Sequence, residues 1–233
     1  MEIKKTIRKL IPEKLKNFIS YSEEQEYQRI SYSQYGEDLI IENLINGFDT
    51  GFYIDVGAYH PIRFSNTYLL YIKGWRGINI EPRPGSKILF DQFRPDDINI
   101  ELGISQHGGK LSYYNFHEGL QNTFKKGFIK KADPQLNPSK STLLVQTKLL
   151  SDIVAEYQHL ISEFNLLCVD AEGADLEVLK SNDWNVFKPD IIVVEDHDFL
   201  FDGIKSGGIQ EFLTNLGYTV VCRGINSSFY RLR

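Results

Sequence analysis

Phe52-Tyr53-Ile54-Asp55-Val56-Gly57-Ala58 is a short run of apolar and β-branched residues that carries one carboxylate and stops at a glycine. Its length and composition predict a strand over residues 52–56. Runs of the same kind recur at 77–80, 98–102, 166–169, 191–194, 219–222 and 229–232. Between most of them lie segments with helical spacing, at 66–73, 86–93, 149–161, 174–180 and 209–216. Such alternation predicts an α/β fold, a mostly parallel sheet covered by helices on both faces. The last two runs break the rhythm. Arg223-Gly224-Ile225-Asn226-Ser227-Ser228 between them is only a turn, too short for a crossover helix, so the final strand is expected to pair antiparallel.

The whole chain has 233 residues, 42% hydrophobic and 24% charged, enough for a substantial core and unlike a disordered or low-complexity sequence. No apolar run approaches the length of a bilayer span and no secretory leader is visible, so the cytosol is the expected compartment. Cys168 and Cys222 each sit in an apolar run and read as reduced core residues. The net charge of -5 argues against nucleic-acid binding. That charge is unevenly spread. Residues 1–20 hold six basic side chains against two acidic ones, and Ile3, Ile7, Leu10, Ile11, Leu15, Phe18 and Ile19 recur with helical period, interrupted by Pro12. Residues 1–30 are therefore expected to be a basic amphipathic helical appendage, and residues 31–233 the main domain. The appendage either lies on an anionic membrane surface or partner, or caps the domain's own core.

In an open parallel sheet, ligands bind beyond the carboxyl ends of the strands. Here those ends carry Asp55 with Gly57 and Ala58, then Glu81, Ser105, Asp170 with Glu172, and Glu195 with Asp196 and His197. A dinucleotide or nucleoside triphosphate would need several glycines to cradle phosphates, and only Gly57 is in place, beside a carboxylate that would repel them. S-adenosylmethionine, a sulfonium and an ammonium with no phosphate, suits that environment. Glu81, one strand further on, is placed to accept two ribose hydroxyls, and Gly57 lets backbone approach a ligand closely. The plain alternative is that Asp55 and Glu81 cap the following helices or turns.

Four stretches in series resemble the motifs of the FkbM family of S-adenosylmethionine-dependent methyltransferases: Ser33-Gln34-Tyr35-Gly36-Glu37-Asp38, Phe52 to Ala58, Gly74-Trp75-Arg76-Gly77-Ile78-Asn79-Ile80-Glu81-Pro82, and Val169-Asp170-Ala171-Glu172-Gly173. The resemblance implies a class I methyltransferase (Rossmann-like) fold of seven strands in the order 3-2-1-4-5-7-6, the last antiparallel. It implies O-methylation, commonly of a sugar hydroxyl in a glycan or natural product. Tyr59-His60-Pro61 replaces a glycine that many members carry, so Ser65 or Asn66 is expected to hold the methionyl end of the cofactor, with Gln34 folding over the same pocket. Cofactor contacts are thus assigned to Gln34, Asp55, Gly57, Ala58, Ser65, Asn66, Glu81 and Ser105.

Transfer to oxygen needs alignment, exclusion of water and removal of the hydroxyl proton. Two arrangements meet the last need. Asp170, Glu195 and Asp196 could hold Mg²⁺ or Mn²⁺; alternatively Asp170 or His197 is the base and Glu172 orients the substrate. Asp170 and Glu172 also suit plain charge at a helix N-terminus. Residues 117–141, with two glycines, two prolines and lysines at 125, 126, 130 and 131, read as a substrate-side loop whose lysines meet a phosphorylated sugar or simply face solvent. A rival of another class is a non-catalytic adenosyl-ligand binder or scaffold that keeps the fold. A nicotinamide oxidoreductase is disfavoured by the missing glycines.

Overall fold

The computed structural model describes residues 27–115, 122–125, 141–161 and 164–233. Residues 1–20, expected to be amphipathic, lie outside them. Tyr32–Arg233 form one compact unit.

Each apolar run is a strand: β1 (Phe52–Val56), β2 (Arg76–Ile80), β3 (Ile98–Ile100), β7 (Asn165–Val169), β8 (Ile191–Glu195), β9 (Tyr218–Arg223) and β10 (Ser227–Leu232). They form one sheet in the order β3-β2-β1-β7-β8-β10-β9. This is the expected 3-2-1-4-5-7-6 order. Strands β3, β2, β1, β7 and β8 pair in parallel, while β10 runs antiparallel to both β8 and β9. The tight β9–β10 turn closes with the Gly224 N–H donating to the Ser227 carbonyl at 2.8 Å.

The period-two alternation of strand side chains splits the core into two layers. Ile54, Ile78, Leu167 and Ile192 face helices α4 (Leu150–Tyr157), α5 (Asp175–Lys180) and α6 (Ile209–Asn215). Tyr53, Leu166, Cys168 and Val193 face α1 (Glu37–Leu44) and α2 (Tyr68–Ile72). A further helix, α3 (Ser86–Phe93), joins β2 to β3. Cys168 is buried and Cys222 half-buried, both as free thiols.

Under the β1–β2 edge lies a buried polar network. The guanidinium of Arg94 is fully buried and pairs through Nε with Asp97 Oδ2 at 2.7 Å. Asp97 also accepts the Gly77 N–H at 2.9 Å and Asn79 Nδ2 at 3.0 Å, and Arg94 Nη2 donates to the Tyr53 hydroxyl at 2.6 Å. A buried charge persists only when so compensated.

The sequence reading missed a second, three-stranded sheet of β4 (Gly103–Ile104), β5 (Gly109–Asn115) and β6 (Ser141–Lys148), in the order β4-β6-β5. The chain leaves the main sheet after β3, so the run expected to reach residue 102 stops at Ile100. Strand β5 is mostly exposed, with Tyr113 its one buried side chain, and so gives no apolar run to read.

Candidate active site

The ends of β1, β2, β7 and β8 open into a cleft of about 910 Å³, its mouth included. Gly57 follows β1 with a left-handed φ of 80°. A Cβ at that position would lie 1.7 Å from the Asp170 carbonyl oxygen. The missing side chain is thus demanded first by the contact between two strand ends, and not by a ligand as the sequence suggested. The Gly57 N–H donates to the Ile80 carbonyl at 2.9 Å and the Asp170 N–H to the Val56 carbonyl at 2.9 Å, so three strand ends are stitched by backbone.

Asp55 and Glu81 are both buried and both line this cleft. The Thr67 hydroxyl donates to Asp55 Oδ2 at 2.6 Å, and Thr67 Oγ1 in turn accepts Arg94 Nη1 at 3.1 Å. Burial raises the Asp55 pKa, and the Thr67 hydrogen bond and the Arg94 charge oppose it. Glu81 is gripped by backbone: the Tyr59 N–H donates to Oε2 and the Arg83 N–H to Oε1, each at 2.9 Å. Tyr59 reaches this position at a φ of 53°, a conformation L-residues adopt at some cost. Burial pushes Glu81 upward as well, against those donors and Arg83.

The opposite wall is acidic. Carboxylate oxygens of Asp170, Asp175 and Glu195 lie within 4.8 Å of one another. Asp175 is engaged, its Oδ1 accepting the Ala171 N–H at 2.8 Å and its Oδ2 the Gly173 N–H at 3.1 Å. Asp170 Oδ1 and Glu195 Oε2 are shielded from solvent with no partner. Burial raises every member of the group. Asp175 is pushed up to about 7. Asp170 stands well above the carboxylate range through burial and then the charges of Glu195 and Glu172, and Glu172 is raised by burial and then Glu195. Glu195 is raised by burial, with Arg223 pulling it back. The pair Asp170–Glu195 therefore titrates as a unit nearer neutrality than a carboxylate in water does.

The family profile of the methyltransferase FkbM domain matches residues 55–220, the span that carries this cleft. The chain belongs to the FkbM methyltransferase family. Searches of curated proteins and of solved structures give no match. Membership implies a methyl-donor cofactor, and the donor set suits a cationic one: Asp55, Glu81, Asp170, Glu172 and Glu195 line the cleft, and among the described residues no lysine, arginine or histidine does.

Of the residues assigned in advance, this FkbM domain gathers Gln34, Asp55, Gly57, Ala58, Asn66, Glu81, Asp170, Glu172 and Glu195 around the cleft. Four others stand apart from it. Ser65 is buried behind it, its Oγ accepting the Tyr68 N–H at 3.1 Å and so shaping the entry to α2. Ser105 donates to Thr147 Oγ1 at 2.9 Å and braces the small sheet. Asp196 accepts the Asp198 N–H at 3.1 Å, and Asp175 occupies the place in the acidic trio expected for it. His197 is half-exposed, with Nε2 3.2 Å from Glu195 Oε1, outside the cleft and behind that carboxylate.

Tyr59, Phe64, Tyr113, Asn122 and Phe124 also line the cleft and were not foreseen. Phe124 packs on Gly103, where a Cβ would meet its ring at 2.4 Å, and stacks obliquely on Tyr113 at 4.9 Å. Of the expected substrate-side loop, the described residues 122–125 do form cleft wall through Asn122 and Phe124; Lys125 pairs with Glu177. His60 shapes its own loop, its Nδ1 accepting the N–H groups of Ile62 at 3.1 Å and Arg63 at 3.0 Å.

Proposed function

We propose that this FkbM domain is an S-adenosylmethionine-dependent O-methyltransferase whose acceptor is a hydroxyl, that of a sugar in a glycan or natural product. The observation that carries the reading is the five-carboxylate cleft with no cationic side chain among the described residues. A diphosphate cofactor would find no counter-charge among these lining residues, whereas a sulfonium with an ammonium finds carboxyl groups that ionise to pair with it. S-adenosylmethionine would supply an electrophilic methyl group, its sulfur keeping the electron pair of the broken carbon–sulfur bond as S-adenosylhomocysteine.

The chain's own residues do the rest. Asp55 and Glu81, fixed by Thr67 and by two backbone N–H groups, mark the donor side. The Asp170–Glu195 pair faces them across the cleft and accepts the hydroxyl proton, a role for which its raised proton affinity fits it. Glu172, held protonated by burial at neutral pH, orients the acceptor by donating a hydrogen bond. Apolar walls from Ile80, Leu102 and Phe124 exclude water from the transfer.

A second reading of the acidic side is favoured by the orphaned oxygens of Asp170 and Glu195. Mg²⁺ or Mn²⁺ would find two free carboxylate oxygens there, with Asp175 as a third neighbour, and would lower the hydroxyl pKa. Methyl transfer measured in chelator and after adding back either ion separates the two; full activity in chelator ends the metal reading. Calorimetry with S-adenosylhomocysteine and with NAD tests the whole proposal. Binding of NAD alone would overturn it, and S-adenosylhomocysteine binding without turnover on any glycan would favour a scaffold. No helix among the described residues is long and apolar enough to cross a membrane. Contact of residues 1–20 with an anionic surface is tested by liposome flotation with and without residues 1–25.

A further inference from the structure

A second cavity, of about 300 Å³ with its mouth, adjoins the main cleft and shares Asp170 and Glu195 with it, together with Gln34, Phe64 and Asn66. Its far side is made by Tyr35 and Glu37 at the start of α1 and by Asn226 and Ser227 in the β9–β10 turn. The donor-side carboxylates Asp55 and Glu81 belong to the main cleft alone. A molecule in the second cavity therefore meets the acidic pair from a space that Asp55 and Glu81 do not line.

The turn is held firmly in that position. Ser227 stands opposite Glu195 in the β8–β10 ladder, and the Asp196 N–H donates to the Asn226 carbonyl at 2.9 Å. Arg223 clamps both strands, Nη1 donating to the Asn226 carbonyl and Nη2 to the Asp196 carbonyl, each at 2.7 Å. Its guanidinium does not line the cavity, nor among the described residues does any lysine, histidine or other arginine. What lines it is amide, hydroxyl and carboxylate. Glu37 is buried, with Oε2 accepting the Tyr35 N–H at 2.8 Å, and the Glu195 side chain is only 10% exposed with Oε2 unpartnered.

We propose that this second cavity is the acceptor subsite and that it selects by charge, admitting an uncharged hydroxyl-bearing group and rejecting one that carries a phosphate or carboxylate next to the methylated position. The inference rests on the O-methyl-transfer reading for its reaction but not for its selectivity. Asn226, Ser227 and Gln34 offer both donors and acceptors to ring hydroxyls. An anion in the same space would sit beside Glu37 and Glu195, and among the described residues no cationic side chain lines the cavity to offset them.

The test uses the full chain with S-adenosylhomocysteine present, and as probes a set of neutral methyl hexosides with the matching hexuronates. Saturation-transfer NMR should show contact with at least one neutral hexoside, with its hexuronate weaker by about tenfold or more. Asn226→Lys, a change at a half-buried position of the turn, should narrow or invert that ratio while the affinity for S-adenosylhomocysteine stays as it was. Contact with no neutral hexoside, equal contact with the hexuronates, or a ratio unmoved by Asn226→Lys would each overturn the proposal. A protein that selects neutral hexosides but fails to bind S-adenosylhomocysteine supports the charge selection and overturns only the methyl-transfer reading.

Discussion

Glu195→Gln should make the protein more stable at alkaline pH and much less so in mild acid. Two full charges 4.8 Å apart, the outer limit of separation in the acidic trio, repel by about 3.5 kcal/mol at an effective dielectric constant near 20. The folded chain escapes that repulsion by holding protons: Asp175 and Glu195 are both raised to about 7. In the unfolded chain the same carboxyls release their protons near pH 4. Their contribution to stability is accordingly intact below about pH 4 and is lost as the pH rises through about 7. Replacing Glu195 removes one charge from the cluster and leaves its orphaned oxygen position able to donate to Asp170 Oδ1, also orphaned. The cost is the pair with His197, half-exposed and worth about 0.5 kcal/mol or less. At pH 9 the variant should gain about 2–3 kcal/mol, a rise in Tm of about 5–10 °C for a chain of this size, and at pH 5 only about 1 kcal/mol. Calorimetric melts at both pH values, in EDTA so that no cation enters the cluster, decide it. A variant that loses stability at both, or gains as much at pH 5 as at pH 9, would refute the electrostatic account of this wall.

Three other expectations are more quickly stated. Gly57→Ala should cost about 3 kcal/mol or more, seen as a low Tm or insoluble protein, because its Cβ would overlap the Asp170 carbonyl at a left-handed φ; a variant within about 1 kcal/mol of the parent would contradict the close contact. Once an acceptor is in hand, methyl transfer should rise between about pH 6 and 8 as the Asp170–Glu195 pair gives up its proton, and a rate flat across that range would remove the pair as base. Thr67→Val should weaken S-adenosylhomocysteine binding about five- to tenfold by taking the hydrogen bond from Asp55, with Thr67→Ser restoring it; unchanged calorimetric affinity would disconnect Arg94 and Thr67 from the donor side.

What the sequence made legible was whatever burial on two faces had written into it. Strands β1, β7 and β8 are covered by helices on both sides, so each reads as an unbroken apolar run with its functional carboxylate at the end. The antiparallel β10 was legible from a turn length alone, although the strand order came from the family resemblance. The small sheet was not legible, because β5 turns most of its side chains to solvent and shows no apolar run. Side-chain direction in loops was equally hidden. Ser65 and Asn66 are neighbours, yet the first turns inward to brace α2 and the second faces the cleft. Asp170, Glu172 and Asp175 crowd around Gly173, and the spacing held a signal for Asp175; its place in the first turn of α5 disguised it as ordinary helix-terminal charge. Gly57 was singled out for close approach to a ligand, and the structure shows a close approach to the Asp170 carbonyl.

That glycine has a consequence for how acceptor range can change. On the proposed reading, donor side and proton-accepting side meet where the backbone after β1 rests on the backbone after β7, with no side chain between them. The distance across which a methyl group would travel is then fixed by main chain. The β9–β10 turn, by contrast, is a short, half-buried hairpin that touches the second cavity through Asn226 and Ser227, away from this joint. Insertions or substitutions there can recut the acceptor's shape while the reacting geometry stays where the two strand ends hold it, so an enzyme with new specificity lies within reach of a single hairpin.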